Sequence, residues 1–140
     1  MSNLPYQKRG SDDFGSGALG SARGSRPHLG VDYIVTPGQN VIAPFSFTIT
    51  GISIPYTWTN LYTGFKGKTS EGYDVRIWYL IPNLSLIGKD VFKGEIIGEA
   101  QSLQNDYPGI TDHIHVQVSM PGEFPNLGVV WNGKTYIEYV

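Results

Sequence analysis

Two pairs of side chains in this sequence could bind a metal ion. The first pair is His28-x-x-x-Asp32 and the second is His113-x-His115. The chain contains no cysteine, so a metal site has to be built from imidazole and carboxylate groups. Two imidazoles and one carboxylate, with a fourth position left open, are typical of catalytic zinc. Zinc suits this mixture of nitrogen and oxygen ligands better than magnesium or calcium does.

The spacing within each pair has a definite geometry. Side chains alternate between the faces of a strand, so His113, His115 and Gln117 are predicted to share one face, with the two histidine Cα atoms roughly 6.6 Å apart. In a straight strand His28 and Asp32 would lie roughly 13 Å apart, too far to bind one ion, so a bend at the intervening glycine is required. Taken singly, each pair also fits a simpler role. Asp32 could cap a turn and His28 could be a loop residue. His113 and His115 could be exposed side chains on the polar face of a half-buried strand.

Short strands joined by turns have to position these side chains. The 140 residues include 18 glycines and 9 prolines, and 13% are aromatic, a composition that favours strands over helices. Residues 55–72 are predicted to form a loop, and no helix is predicted. The predicted strands are residues 31–35, 45–54 with a bulge at Gly51, 73–81, 95–99, 113–118, and 129–131 with 135–139 around the hairpin signal Asn132-Gly133. We therefore expect an all-β fold, a compact antiparallel sheet or sandwich with long loops around the site.

The chain divides into a Gly/Ser-rich N-terminal arm, residues 1–26, and one domain, residues 27–140. The arm contains Asn3, Asp12 and Asp13, and one hypothesis is that such a side chain folds over the metal. A net charge of −2 offers no basic surface for nucleic acid, and no run of 18 apolar residues predicts a membrane span. No secretory signal is visible in the polar first residues.

Together the two motifs resemble the signature of the lysostaphin-type zinc endopeptidases. Residues 38–44 (GQNVIAP) resemble the family's glycine turn and following strand, and residues 93–98 (KGEIIG) resemble its Lys-Gly-x-x-Ile-Gly segment. Residues 26–32 (RPHLGVD) and 107–110 (YPGI) are similar to the leukocyte cell-derived chemotaxin branch of this family. The resemblance covers roughly residues 14–118.

The resemblance implies a zinc site with a proton-transferring residue beside it. Its implied ligands are His28, Asp32 and His115, and the cofactor is Zn²⁺. His113 would not bind the metal, but would accept a proton or stabilise the developing oxyanion.

Active members of the family use one more histidine, which lies before the Lys-Gly segment. This chain has Tyr79-Leu80-Ile81 there, so Tyr79 is predicted to take the catalytic place, with Ile81 as the other alignment. A phenol can donate a hydrogen bond to an oxyanion, but its pKa near 10 makes it a poor proton carrier at neutral pH.

The implied function is that of a zinc metalloendopeptidase-like domain that acts on or binds peptides of bacterial peptidoglycan. The aromatic loop Tyr56–Phe65, with Phe124 and Trp131, is predicted to wall a peptide groove unless these rings belong to the core. Arg26 could hold a carboxylate or steady a loop.

The alternative function is that of an inactive, zinc-stabilised binding or structural module. It would be similar to the chemotaxin branch, or to a component of a phage tail or injection machine with protein partners. An extracellular, cell-wall or virion-associated location is favoured over the cytoplasm.

Overall fold

A computed structural model describes residues 31–119 and, outside that range, only six strand segments. Four of these segments precede residue 31: β1 (Ser11–Asp12), β2 (Gly15–Ser16), β3 (Ala22–Arg23) and β4 (Arg26–Pro27). The strands of the continuous part are β5 (Val31–Ile34), β6 (Asn40–Ile42), β7 (Phe47–Ser53), β8 (Gly64–Lys68), β9 (Asp74–Trp78), β10 (Leu80–Pro82), β11 (Asp90–Val91), β12 (Ile96–Ala100) and β13 (His113–Ser119). A C-terminal hairpin follows, formed by β14 (Val129–Trp131) and β15 (Tyr136–Glu138).

Two antiparallel sheets make up the continuous part of the structure. The larger has six strands in the order β11-β7-β8-β9-β13-β5, and the smaller has three in the order β10-β12-β6. The only helical element in residues 31–119 is a single 3₁₀ turn, Leu84–Leu86. The predicted all-β antiparallel fold is therefore confirmed. No helix in the described part of the chain has the length and apolar character needed to cross a membrane.

Both sheets contribute to one hydrophobic core. The larger sheet supplies Phe65, Ile77 and Ile114, and the smaller supplies Val41 and Ile97, all fully buried. Fully burying an apolar side chain of this size contributes about 1.5–3 kcal/mol. This shared core holds β9, β13 and β5 side by side, and these three strands carry the candidate site.

The prediction of a loop over residues 55–72 is wrong in part, because β8 lies within it. The sequence of β8, GFKGK, contains two glycines, which are poor strand formers. They are needed because the neighbouring backbones approach closely: a Cβ added at Gly64 would lie 1.9 Å from the carbonyl oxygen of Ile77, and one at Gly67 would lie 2.2 Å from that of Thr48.

The predicted single strand over residues 73–81 is also wrong, because the chain breaks at Tyr79 and passes from the larger sheet to the smaller. Tyr79 has φ 75°, the left-handed conformation that bulky side chains rarely adopt. Its N–H and that of Leu80 both donate to the carbonyl oxygen of Thr63, at 2.8 and 3.2 Å, and its own carbonyl accepts from the N–H of Gln101 at 3.0 Å. Three backbone hydrogen bonds therefore hold the break in place.

Other predictions of local structure are confirmed. The register of β7 and β8 shifts between Ile49 and Gly51, as expected for a bulge, and β14 pairs with β15 in antiparallel fashion as predicted. Within the predicted arm β1 pairs with β2, and β3 pairs with β4, which crosses the predicted boundary at residue 27. The domain boundary between residues 26 and 27 remains a prediction.

Candidate metal and catalytic site

Two of the predicted zinc ligands face each other across adjacent strands. His115 on β13 is the direct cross-strand partner of Asp32 on β5. The Nδ1 atom of His115 lies 3.0 Å from Oδ1 of Asp32, and Nε2 of His113 lies 3.3 Å from Oδ2 of the same carboxylate. Asp32 is 1% exposed, His113 4% and His115 6%. The sheet register thus places one buried carboxylate between two imidazoles.

The opposite edge of each imidazole contacts an oxygen acceptor. The Nδ1 atom of His113 lies 2.7 Å from the carbonyl oxygen of Thr111, and Nε2 of His115 lies 3.1 Å from Oε1 of Gln117. All of these contacts, including those with Asp32, are made with acceptor oxygens, so a neutral ring that offers its Asp32-facing nitrogen to a metal ion carries its N–H on the side away from Asp32. In that form the Asp32-facing nitrogens present lone pairs to a carboxylate.

Such an arrangement fits a cation held beside Asp32. Lone pairs that face a buried carboxylate are unfavourable unless a proton or a metal ion lies between them. Two ligand atoms on one tetrahedral zinc lie roughly 3.3 Å apart, because each bond is about 2.0–2.1 Å long. The 3.0 Å separation between Asp32 and His115 is close to that distance. The chemistry of these donors therefore fits zinc.

The third predicted ligand, His28, lies outside the described residues, so its assignment remains a prediction. Within residues 31–119, no three His, Cys, Asp or Glu side chains are arranged to hold a metal ion. Asn3, Asp13 and Phe124 also lie outside the described residues. Asp12, Arg26 and Trp131 are described only as strand positions.

Tyr79 lies against His113, as its predicted catalytic role requires. The two rings meet edge to face, with centroids 5.3 Å apart and planes at 86°. Ile81, the residue of the other alignment, lies on β10 in the smaller sheet and is 56% exposed. It borders a groove that is also lined by Asn40 and Glu99. Contact with His113 therefore favours Tyr79.

Four tyrosines pack together beside the site, and we call them the tyrosine cluster: Tyr56, Tyr62, Tyr79 and Tyr107. The hydroxyl groups of Tyr56 and Tyr79 are 2.6 Å apart, and the Tyr62 hydroxyl donates to Oδ2 of Asp106 at 2.6 Å. Ring centroids within the cluster lie 5.8–6.4 Å apart. The cluster links the loop before β8 to the loop between β12 and β13.

The predicted aromatic groove wall needs a correction. Tyr62 and Phe65 are fully buried, and Phe65 belongs to the core on β8. Trp58 is instead 60% exposed and stacks on Tyr56, with centroids 5.0 Å apart and planes at 28°. Of the described rings in this loop, Trp58 presents the largest exposed aromatic surface, because its neighbours face inward.

Burial keeps the tyrosine cluster protonated. Loss of solvent raises the pKa of Tyr79 well above 10, and the negative charge of Asp32 raises it further, while the hydrogen bond with Tyr56 opposes these effects. The pKa values of Tyr56 and Tyr107 are also raised, mainly by burial. Burial and the hydrogen bond to Asp106 raise the pKa of Tyr62 to about 12. At neutral pH these phenols therefore act as hydrogen-bond donors and not as bases.

We expect the cluster to make the fold sensitive to alkali. Tyrosines of the unfolded chain ionise near pH 10, whereas those of the cluster keep their protons to higher pH. Above pH 10 the unfolded chain binds fewer protons, so the free energy of unfolding falls by about 1.4 kcal/mol per pH unit for each tyrosine; below pH 10 this stability is fully present. Urea unfolding at pH 9, 10 and 11 measures the decline. Tyr62→Phe should make it shallower, and equal slopes in the two proteins would contradict this account.

Two residues of the site have roles that the sequence did not indicate. Trp78 stacks on the imidazole of His115, with centroids 5.1 Å apart and planes at 16°, and its Nε1 donates to Oγ of Ser53 at 2.9 Å. Gln117 was expected on the same face as the histidines, but its contact with His115 was not. Strand alternation was the available signal for Gln117, whereas Trp78 is found only through the pairing of β9 with β13.

Comparison with known proteins identifies relatives in sequence and in fold. No protein-family model matches the chain. It is 36% identical to mouse leukocyte cell-derived chemotaxin-2 over 109 residues, which cover 78% of this chain and 71% of that protein.

Two solved structures share the fold. Lysostaphin, an antimicrobial peptidase from Staphylococcus simulans, superposes with a TM-score of 0.60 at 22% identity over 86% of this chain, which spans about half (46%) of lysostaphin. A mutant catalytic domain of the prophage-encoded protein EnpA from Enterococcus faecalis gives a TM-score of 0.58 at 15% identity, over 91% of this chain and 90% of that domain. At these identities, the two structures support the fold alone.

Proposed function

This chain belongs to the family of leukocyte cell-derived chemotaxin-2 and shares the fold of lysostaphin. We propose that it is a zinc-binding metalloendopeptidase-like domain that acts on or binds peptides of the bacterial cell wall. The observation that carries the proposal is the pairing of Asp32 with His115. Both are buried, and the carboxylate oxygen and the imidazole Nδ1 converge to 3.0 Å. His28 would supply the third ligand.

Each described residue of the site would have a separate task. Bound zinc would polarise a peptide carbonyl and activate water as a nucleophile. Asp32 and His115 would bind the metal. The Nε2 atom of His113, on the other side of Asp32, would accept a proton. The Tyr79 hydroxyl, which stays protonated, would donate a hydrogen bond to the oxyanion that develops on the substrate.

The proposed substrate class follows from the relatives and from the surface beside the site. Lysostaphin is described as an antimicrobial peptidase, which fits peptide cross-bridges of peptidoglycan as the target. Trp58 offers an exposed aromatic face that stacks on Tyr56, and Tyr56 lies beside Tyr79. A peptide on this face would be connected to His113 through these two tyrosines. Such a substrate implies an extracellular, cell-wall or virion-associated place of action.

Release of labelled fragments from purified peptidoglycan tests the proposal. The protein is assayed with one zinc per chain, after zinc removal by a chelator, and after zinc is restored. We expect release that stops on chelation and returns with zinc. The proposal fails if the purified protein takes up no zinc. If zinc is bound but no cell-wall type releases fragments, only the hydrolytic part fails.

Tyr79→Phe tests the proposed oxyanion donor. Removing one such donor typically lowers the rate roughly 100- to 1,000-fold. We expect fragment release to fall by that factor while zinc affinity is unchanged, because the phenol is not a ligand. Tyr73→Phe, which removes a hydroxyl from a ring packed against the core, is the matched control and should keep full activity. Full activity of Tyr79→Phe would exclude the phenol from catalysis.

A binding module is the second candidate, and Tyr79 is the observation that favours it. The family resemblance implies a histidine in active members where this chain presents a phenol, and the mouse relative is named a chemotaxin. In that case zinc would stabilise the fold and the surface around Trp58 would bind a peptide. Binding to peptidoglycan without release, from zinc-loaded protein, would support this candidate over the enzyme.

A further inference from the structure

We infer that Gln117 is a positioning residue for His115, and that it determines the affinity of the site for zinc by holding the ring proton on Nε2. The inference rests on the proposed zinc site and adds a residue to it. Gln117 lies two positions after His115 on β13, so both side chains point to the same face of the strand. It is 5% exposed, so water does not readily replace it.

The contact between these side chains selects one form of the imidazole. Oε1 of Gln117 lies 3.1 Å from Nε2 of His115 and can only accept a hydrogen bond. A neutral imidazole has one N–H group, and when Nδ1 binds a metal ion that group lies on Nε2, where Oε1 of Gln117 accepts it. The Nδ1 lone pair is then directed to the side of Asp32, as a metal ligand requires.

The competing form of the ring would weaken metal binding. With its proton on Nδ1, His115 would donate to Oδ1 of Asp32, 3.0 Å away, in a charge-assisted hydrogen bond. That bond would occupy the carboxylate and the imidazole together, and zinc would have to break it. An acceptor at Nε2 opposes this form, whereas the amide NH₂ group of a rotated Gln117 would favour it. The position therefore requires an acceptor.

The imidazole of His115 is also held by stacking on Trp78, so removing Gln117 should not displace the ring. The indole lies nearly parallel to the His115 ring and is itself held by Ser53. The plane of the imidazole is thus restrained from its face, while Gln117 acts at its edge. Removing the Gln117 acceptor should change the preferred proton position and leave the ring in place. Loss of such a partner typically costs 10- to 100-fold in metal affinity.

Competition for zinc against a chromophoric chelator at pH 7.5 tests this inference. The proteins are the wild type, Gln117→Leu, Gln117→Asn and Gln117→Glu. We expect zinc affinity to fall roughly 10- to 100-fold in Gln117→Leu, and also in Gln117→Asn, whose shorter side chain withdraws the oxygen. Gln117→Glu can only accept, so it should bind zinc at least as tightly as the wild type. Val116→Ala, on the opposite face of β13, controls for destabilisation and should lower the melting temperature without changing zinc affinity.

The outcomes separate this inference from the proposed function. If the wild type binds no zinc, the proposed function itself fails. If the wild type binds zinc and Gln117→Leu and Gln117→Asn bind it equally well, the inference is overturned and the zinc site stands. A loss in Gln117→Glu as large as that in Gln117→Leu would also overturn it, because an acceptor would then not be the requirement. Should Gln117→Leu not fold, Gln117→Asn and Gln117→Glu decide the question.

Discussion

His115→Ala is expected to lose zinc, whereas His113→Ala should still bind one zinc per chain. Nδ1 of His115 converges with Oδ1 of Asp32, so removing this ring removes one of three proposed ligands. Structural zinc binding amounts to about 10–16 kcal/mol in total, so an equal share for each of three ligands is roughly 3–5 kcal/mol, a 100-fold loss of affinity or more. His113 lies on the other side of the carboxylate and is not a proposed ligand, so its loss should abolish fragment release while zinc stays bound.

The two variants control for each other. Both remove a buried imidazole from β13, and both remove a contact with Asp32, so a general loss of stability would affect them alike. Zinc content is measured after dialysis against zinc-free buffer. Melting temperature is measured with and without zinc, because zinc at 100 times its Kd should stabilise the wild type and His113→Ala by about 2.7 kcal/mol. If His115→Ala keeps one zinc per chain, as His113→Ala is expected to do, His115 is not a ligand.

Gly64→Ala is expected to be the most destabilising small substitution in the described sheet. A Cβ at this position would lie 1.9 Å from the carbonyl oxygen of Ile77 and 2.8 Å from Cα of Trp78. Backbone atoms cannot move aside as side chains do, so β8 and β9 would have to separate. Overpacking typically costs about 1–3 kcal/mol, and a clash with backbone atoms on this scale should lie at the upper end of that range or above it. Urea unfolding measures the loss.

Gly51→Ala is the matched control for this experiment. It lies on β7 in the same sheet, and its added Cβ would meet only the flexible end of Lys66, at 3.0 Å from Cε. We expect a change below about 1 kcal/mol. Because Trp78 on β9 stacks on His115, Gly64→Ala should also weaken zinc binding in any protein that remains folded. Equal stability of the two variants would contradict the close approach of β8 and β9.

The candidate site was more predictable than the strands that hold it. Asp32, His113 and His115 could be singled out because His-x-x-x-Asp and His-x-His supply side chains that bind zinc, and their separate roles, which come from the family resemblance, remain predictions. Gln117 could be placed on the right face from strand alternation, but its contact with His115 depends on ring orientation. Trp78 could not be connected with the site, because its neighbour His115 lies 37 positions away and only the pairing of β9 with β13 brings them together.

The errors in the fold have physical causes that local sequence patterns do not express. β8 was missed because Gly64 and Gly67 weaken a strand locally, although close packing between strands requires them. The break at Tyr79 was missed because the run from 73 to 81 favours one long strand, and a tyrosine gives no signal for a left-handed backbone. In both cases tertiary contacts override local preference.

The pairing of Asp32 with His115 also bears on how this chain is held together without disulfide bonds. The two residues are 83 positions apart, and β5, which carries Asp32, lies at the edge of its sheet with β13 as its partner. A metal ion bound by both would act as a covalent-like cross-link closing a long loop, the type of closure that most restricts an unfolded chain. The sequence contains no cysteine, so no disulfide bond can do this. A shared metal ion would stabilise the edge strand β5, which is hydrogen-bonded to a neighbouring strand on one side only. The cross-link would form only once β5 and β13 had paired, so metal uptake would report on the pairing of these two strands.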